Sequence, residues 1–202
     1  MSPRGYKLSD STLASRPLAT KELEPEVVRS GPPLADKPKD RLGELYAEYA
    51  RFVAWFASRL LPRQDEVEDV VQEVFLIAAT KLDALTDPPE IRGWLKTVTL
   101  RRAGRLLRWK RVRAKFGIGV DHGSVEEVVA SPNATPEDRA AVRELFAVLD
   151  AMPVDLRVAW SLRYMHEETI ESVAVLAGCS LATAKRRIAA AQQRINQELG
   201  DG

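Results

Sequence analysis

The fold is decided by the stretch DEVEDVVQEVFLIA, residues 65–78. Its apolar side chains recur at steps of three and four, so they share one stripe of an α-helix. This valine stripe consists of Val67, Val70, Val71, Val74, Phe75 and Ala78. The other side, called the acidic face below, consists of Asp65, Glu68, Asp69, Gln72 and Glu73. The pattern predicts a helix that buries its valines and exposes an acidic surface.

The acidic face has two interpretations. On most helices a run of charges is a solvated surface without a partner. A concentrated acidic surface on a well-buried helix can instead dock a basic partner. Asp69 and Glu73 are four residues apart, so they stack with like charge and slightly destabilise the helix. Taken alone the stretch favours the solvated interpretation, and the choice depends on the rest of the chain.

Composition indicates an ordinary globular protein. The 202 residues, 45% of them apolar, suffice for one or two small domains. No stretch approaches the ~20 apolar residues of a membrane helix, and the N-terminus has no apolar signal-peptide core. Cys179 is the single cysteine, and His122 and His166 are far apart in sequence, which argues against a disulfide and a zinc site. We therefore expect a cytoplasmic protein without membrane insertion and without a cofactor.

Helical periodicity surrounds the acidic stretch. Residues 1–40 are predicted to form a disordered arm, because prolines recur and apolar residues are sparse. From residue 41 a long amphipathic helix is predicted to end near Pro62. A third helix starts near Ile91 and runs into a series of cations. Together these helices form a predicted domain of residues 41–116.

A linker and a second domain are predicted to follow. Residues 117–136 are rich in glycine, serine and proline, which favour turns over regular structure. Helical periodicity returns over residues 137–202, and the sequence has no alternating run typical of a strand. We therefore expect an all-α protein, with two small helical domains joined by a flexible linker.

The third predicted helix carries eight cations with no acid between them. They are Arg101, Arg102, Arg105, Arg108, Lys110, Arg111, Arg113 and Lys115. Trp94 and Trp109 bracket the helix, and cations interleaved with aromatic rings suit single-stranded DNA, whose bases stack and whose phosphates need neutralising. Trp94 also shares an apolar stripe with Leu95 and is open to interpretation as core, whereas Trp109 lies in the polar part. Eight cations without an acid favour a polyanionic partner.

Residues 169–188 have the form of a helix-turn-helix. Thr169 and Ser180 can cap its two helices, and Gly178 supplies the backbone freedom of the turn. The second helix exposes Leu181, Thr183, Lys185, Arg186 and Arg187 near its start. In this motif that half enters the major groove of DNA, where such side chains reach base edges and phosphates. An ordinary hairpin with a basic exterior is the alternative, but the caps, glycine and cations together favour DNA binding.

The chain resembles the extracytoplasmic-function (ECF) sigma factors of the bacterial sigma-70 family. The acidic stretch, Gly93-Trp94-Leu95 with its arginine run, and LDAMP (149–153) with the helix-turn-helix occur in the family's order over residues 41–199. The resemblance implies a sigma region 2-like domain at 41–116 and a region 4-like domain at 137–202. It also implies three kinds of partner, namely core RNA polymerase, promoter DNA and, for many members, an anti-sigma factor.

The resemblance assigns roles to the residues singled out above. Docking on the largest core polymerase subunit falls to Asp65, Glu68, Asp69, Gln72 and Glu73. Engaging and melting the −10 promoter element falls to Trp94, Arg101, Arg102, Arg105, Arg108, Trp109, Lys110 and Arg111. Reading the −35 element falls to Ser180, Leu181, Thr183, Lys185, Arg186 and Arg187. An active protein of this kind would be associated with the nucleoid.

The chain departs from the family pattern in two places. Members usually carry an Asn and a downstream Asp in the −10 helix, where this chain has Arg101 and Arg105. They usually carry Gly-Leu before the hairpin, where this chain has Glu167 and Glu168. The first departure makes the −10 helix more cationic than usual.

The leading hypothesis is a promoter-specificity factor that is not an enzyme and has no small-molecule substrate. The alternative is a conventional helix-turn-helix regulator with an N-terminal sensing or dimerisation domain, which would bind duplex DNA alone and ignore core polymerase. An enzyme is disfavoured because the sequence has no phosphate loop, no clustered metal ligands and no nucleophile with a histidine partner.

Overall fold

The computed structural model describes residues 38–81, 88–116 and 135–200, in two compact units divided between residues 124 and 125. The predicted arm and linker lie outside these ranges, apart from the residues that begin the helices at Pro38 and Pro136. The first unit contains α1 (Pro38–Ser58), α2 (Gln64–Ala79) and α3 (Pro88–Lys115). The second contains α4 (Pro136–Ala151), α5 (Val154–Trp160), a π-helical turn (Ser161–Met165), α6 (Ile170–Leu176) and α7 (Leu181–Leu199). Every regular element in the described residues is helical, and the expectation of an all-α fold is confirmed.

The first unit is a three-helix arrangement built around the valine stripe. Each of its three helices packs on the other two, and all six members of the valine stripe are buried. They meet an apolar face of α1 that includes Tyr49, Phe52 and Phe56, each at most 1% exposed. The Tyr46 and Phe75 rings meet edge to face with centroids 4.8 Å apart, which joins the first half of α1 to the last turns of α2. Burying these side chains supplies the stability that short helices lack in isolation.

The helices of the second unit surround a separate core. Thr135 and Asp138 form a capping box that starts α4, with each side chain accepting the other residue's backbone N–H. The core side chains are Leu145, Phe146, Leu149, Met152, Trp160, Met165, Ala191 and Ile195. The Trp160 indole N–H donates to Gln192 Oε1 at 2.8 Å, which fixes α5 against α7.

The helix-turn-helix forms as its caps predict. The Thr169 side chain accepts the Ser172 backbone N–H, and the Ser180 side chain accepts that of Thr183. Gly178 has φ +61°, the left-handed conformation that the turn requires. Ala174 is buried, at 7% exposure.

The turn before α6 contains a left-handed residue that is not glycine. Glu167 has φ +53°, at the place where the family pattern has Gly. Neighbouring contacts hold the turn, because the Arg163 guanidinium donates to the Glu168 carbonyl at 3.0 Å and the Ser172 hydroxyl donates to Glu168 Oε2 at 2.6 Å. The turn therefore keeps a conformation that an L-residue adopts at some cost.

A charged side chain is buried in the second unit. Arg157 is 2% exposed, pairs with Asp150 and has its guanidinium 5.8 Å from the centre of the Phe146 ring. None of the described helices has the length and apolar character needed to cross a membrane.

Candidate functional site

The acidic face projects from the first unit on the side of α2 opposite the valine stripe. Its five predicted members are all exposed. Asp69, Gln72 and Glu73 follow one another at steps of three and one, and Leu76 continues the same surface one turn later. Leu76 is 70% exposed, which is unusual for a leucine of a well-packed helix. Sequence reasoning missed Leu76, although the available signal was an apolar residue between Phe75 and Ala78 that falls outside the spacing of the valine stripe.

Asp65 is engaged at the start of α2. The Arg63 guanidinium donates to both its carboxylate oxygens, at 2.9 and 2.6 Å. The hydrogen bond from Arg63 holds the pKa of the Asp65 carboxyl below its ordinary value. Asp65 also lies in the first turn of α2, where a negative charge is favourable. The negative charge of Asp65 therefore stabilises the start of α2, in addition to any contact that it makes with a partner.

Two ion pairs join the acidic helix to the basic one. Arg102 NH1 lies 3.0 Å from Glu73 Oε2, and Lys110 Nζ lies 2.6 Å from Glu66 Oε1. The numbers rise along α2 as they fall along α3, so the two helices are antiparallel. Both side chains of the Lys110–Glu66 pair are only 12% exposed. The predicted DNA-binding residues Arg102 and Lys110 thus contact α2.

The centre of the acidic face has no such partner. Within the described ranges Asp69 and Gln72 take part in no hydrogen bond or ion pair, and Glu68 accepts a hydrogen bond from its neighbour Gln64 at 2.9 Å. An exposed carboxylate and amide beside an exposed leucine form a surface that can pair with cations and bury apolar area. The part of the acidic face available to a partner is therefore Glu68, Asp69 and Gln72, with Leu76 beside them.

The cations of α3 divide between two faces. Arg101, Arg105 and Arg108 are exposed at steps of four and three, so they form one cationic face. Arg111 is half-buried and takes part in a further contact. Three of the predicted cations therefore lie on one exposed face of α3. Arg102 and Lys110 lie on another face and pair with glutamates of α2.

The two tryptophans of α3 differ in environment. Trp94 is half-buried, so it is neither fully core nor fully available. Trp109 is 53% exposed, and the Arg113 guanidinium lies 4.5 Å from its ring centre. This cation–π contact covers one side of the ring. Of the two, Trp109 is the ring that a ligand reaches.

At the start of α7, some of the predicted DNA-binding side chains are exposed, and others are engaged in contacts within the protein. Leu181, Lys185 and Arg186 are exposed. Thr183 shares a 2.9 Å hydroxyl contact with the capping Ser180. Arg187 NH2 lies 2.7 Å from Asp155 Oδ2 on α5. An incoming ligand therefore meets Leu181, Lys185 and Arg186 first.

Comparison with known proteins gives consistent matches. The family model "Sigma-70 region 2" matches residues 45–113, which span the three helices of the first unit. The ECF RNA polymerase sigma-E factor of Escherichia coli K12 is 26% identical over 162 residues, covering 77% of this chain and 84% of that protein. The probable RNA polymerase sigma factor RfaY of Xanthomonas campestris is 30% identical over 136 residues, covering 65% of this chain and 34% of that protein.

Two solved structures share the fold. The sigma factor RpoE of Bartonella quintana, solved in complex with the anti-sigma factor NepR, superposes with a TM-score of 0.58 at 20% identity over 78% of this chain and 95% of its own. CnrH, solved with the cytosolic domain of CnrY, gives a TM-score of 0.53 at 22% identity over 80% of this chain and 88% of its own. Fold and matches together define a sigma factor, a transcription initiation protein. The chain belongs to the ECF group of the sigma-70 family.

Proposed function

We propose that this protein binds core RNA polymerase through α2, engages and melts the −10 promoter element through α3, and reads the −35 element through α7. The observation that carries the proposal is the division of α2, whose valine stripe is wholly buried while Glu68, Asp69 and Gln72 stay exposed. Such a surface fits the basic coiled coil expected of the largest polymerase subunit. The relatives named above are themselves called RNA polymerase sigma factors.

The acidic face is proposed to contribute mainly to the rate and the specificity of polymerase binding. Opposite charges across an interface raise the association rate and exclude wrong partners more than they raise affinity. The exposed Leu76 adds apolar area that a cationic partner can cover. The interface therefore combines electrostatic steering with a small apolar anchor.

The cationic face of α3 is the proposed −10 surface. Arg101, Arg105 and Arg108 neutralise phosphates in order along the helix, and Trp109 offers one side of its ring to a base. Arginines at positions 101 and 105 make this contact more dependent on phosphate than the family's usual Asn and Asp would. Binding is therefore expected to weaken steeply with salt.

The start of α7 is the proposed −35 surface. Lys185 and Arg186 reach phosphates or base edges in the major groove, and Leu181 offers an apolar contact to a thymine methyl group. The Ser180 side chain caps the start of α7, and Ala184 is buried at 0% exposure, so this end of the helix is fixed in the second unit. Arg187 contacts DNA only if its ion pair with Asp155 breaks.

A protein partner is also proposed. One structural neighbour was solved with an anti-sigma factor and the other with a cytosolic domain of CnrY. An anti-sigma protein of this chain would compete with polymerase by covering the acidic face. The protein would then work in the cytoplasm, on the nucleoid when active, without an enzymatic step or a cofactor.

Reconstituted transcription tests the proposal. Core RNA polymerase is incubated with genomic DNA fragments and the purified protein, and the 5′ ends of the transcripts are mapped. We expect specific start sites with two shared upstream elements, which core polymerase alone does not give. Asp69→Lys should weaken core polymerase binding by about tenfold or more, whereas the matched reversal Glu198→Lys, exposed near the end of α7, should leave it intact.

Two results would contradict the proposal. One is the lack of any specific start site while a control sigma factor works on its own promoter with the same polymerase. The other is tight binding of duplex DNA by the protein alone, with no retention of core polymerase in a pull-down. That second pattern identifies a conventional helix-turn-helix regulator.

A further inference from the structure

Trp109 and Arg113 form a stacked pair at the end of the cationic face of α3. Trp109 follows Arg108 directly and lies four residues after Arg105, so its ring borders that face. The ring is 53% exposed, and the Arg113 guanidinium lies 4.5 Å from its centre. An aromatic ring beside cations that bind phosphates is placed to stack a base of the same strand.

The Arg113 side chain covers one particular side of the Trp109 ring. Side chains four residues apart on a helix are neighbours, and they lean towards the start of the helix. Arg113 therefore reaches back over the ring from the end of α3, and the opposite side of the ring faces the turn that carries Arg105. Within the described residues no second cation and no other aromatic ring lies over Trp109. The open side of the ring is thus the side next to the cationic face.

The guanidinium of Arg113 is committed to the ring and not to an acid. In the part of the chain that the structure describes, no carboxylate pairs with it, whereas Arg102 and Lys110 both pair with glutamates of α2. Arg113 is also half-buried, while Lys115 beyond it is exposed. A half-buried cation that lies over a ring is less available to a phosphate than an exposed lysine is.

Covering one side of the indole has two consequences for stacking. A ring with a single open side stacks one base and excludes a second base from the other side. The contact with Arg113 also restricts the rotation of the Trp109 side chain before DNA arrives. Less side-chain entropy is then lost when a base stacks, so binding is stronger than on a freely rotating ring.

We propose that Arg113 is a positioning residue that holds the Trp109 indole ready for a single base, while Arg105 and Arg108 bind the neighbouring phosphates. Because Arg113 occupies the far side of the ring, the stacked path of the strand ends at Trp109. Arg113 acts through the ring and does not contact DNA itself. The role in DNA binding rests on the proposed −10 function, whereas the contact between Arg113 and the ring is a property of the free protein.

Two probes with equal numbers of phosphates measure the stacking. The single-stranded probe is a fluorescein-labelled strand of 12 thymidines, the second probe is an abasic strand of the same length, and anisotropy gives both dissociation constants. The ratio of the constants reports the contribution of the bases, and Trp109→Ala should remove most of it. Arg113→Ala should lower the ratio by about two- to fivefold. Arg113→Lys should lower it less, because it keeps a cation over the ring.

The salt dependence separates positioning from phosphate binding. Each phosphate contact on a single strand contributes about 0.7 to the slope of log affinity against log salt. Arg105→Ala should reduce the slope by about that amount, whereas Arg113→Ala should leave it unchanged. Lys115→Ala is the matched control, a nearby cation whose loss should leave the ratio of the two probes as it is. A reduced slope for Arg113→Ala with equal weakening of both probes would overturn the proposal.

Nuclear magnetic resonance tests the contact without any DNA or polymerase. In the free protein the ring current of Trp109 should shift the Arg113 Nε–H resonance upfield, and the shift should vanish in Trp109→Ala but persist in Lys115→Ala. An unshifted resonance, or a ratio of the two probes that Arg113→Ala leaves unchanged, would overturn the positioning role. A shifted resonance and a lowered ratio in a protein that directs no specific transcription would support the positioning and remove only the promoter function.

Discussion

Arg102 of α3 and Glu73 of α2 form an ion pair, with Arg102 NH1 3.0 Å from Glu73 Oε2. One residue belongs to the proposed DNA-binding helix and the other to the proposed polymerase-binding surface. The pair links the two functions, because a cationic partner that attracts Glu73 also releases Arg102. Polymerase docking is therefore expected to add one cation to the DNA-binding surface.

The first prediction concerns this pair in the free protein. Glu73→Gln should raise affinity for the single-stranded probe by about two- to fivefold, because an exposed pair is worth up to about 1 kcal/mol. Glu68→Gln is the matched control, since it removes the same charge from the same helix but breaks no pair with α3. Equal gains from both substitutions would mean that only the net charge of α2 matters.

The helices themselves could be predicted from sequence because their signals are local. The valine stripe fixes the buried side of α2 through its period, and Thr169, Gly178 and Ser180 fix the helix-turn-helix through backbone hydrogen bonds a few residues away. The structure contains each of these features where the pattern predicts it. Local spacing was sufficient for them.

The contacts between helices could not be predicted in the same way. Glu66 lies near the start of α2 and Lys110 near the end of α3, so their pairing depends on how the two helices pack. The burial of Arg157 and the π-helical turn at Ser161–Met165 likewise follow from packing in the second unit. Sequence reasoning treated the acidic and basic runs as two surfaces for two partners, and the structure shows that they also contact each other.

The second prediction concerns Leu76. Leu76→Ser removes an exposed apolar side chain, so it should weaken core polymerase binding by roughly threefold to tenfold, the effect of about 1 kcal/mol of lost burial. The thermal midpoint should stay unchanged, since the side chain is 70% exposed. Val175→Ser is the control, because Val175 is 80% exposed on α6. Binding by surface plasmon resonance that is unaffected by Leu76→Ser would remove this residue from the interface.

The third prediction concerns the different roles of Arg186 and Arg187 of α7 in DNA binding and in stability. Arg186→Ala should weaken binding to a −35 duplex by about five- to tenfold, in the range of one or two lost phosphate or base contacts. Arg187→Ala should weaken it less and should lower the stability of the second unit by up to about 1 kcal/mol, since Arg187 pairs with Asp155. Anisotropy and urea denaturation give the two readouts. A larger loss of DNA binding for Arg187→Ala would show that Arg187 leaves Asp155 to contact DNA.

The fourth prediction concerns the buried Arg157. Asp150→Asn should destabilise the second unit by about 2–4 kcal/mol, because it leaves a buried guanidinium without its counter-charge. Arg157→Met should cost less, since it keeps most of the buried volume and leaves Asp150 partly exposed to water. Urea denaturation followed by circular dichroism measures both. The reverse order of the two losses would show that the cation is stabilised by other groups.

The last prediction concerns the turn before the helix-turn-helix. Glu167 holds φ at +53°, a conformation in which a Cβ is unfavourable and glycine is not. Glu167→Gly should therefore stabilise the second unit by about 0.5–1 kcal/mol after the larger entropy of an unfolded glycine is counted. Glu167→Ala removes the same carboxylate but keeps the Cβ, so it should bring no gain, and the difference between the two variants in urea denaturation isolates the backbone. If alanine stabilises as much as glycine, the carboxylate is the source of the cost. A gain for glycine alone would establish that this chain keeps a glutamate at a position where the backbone favours glycine.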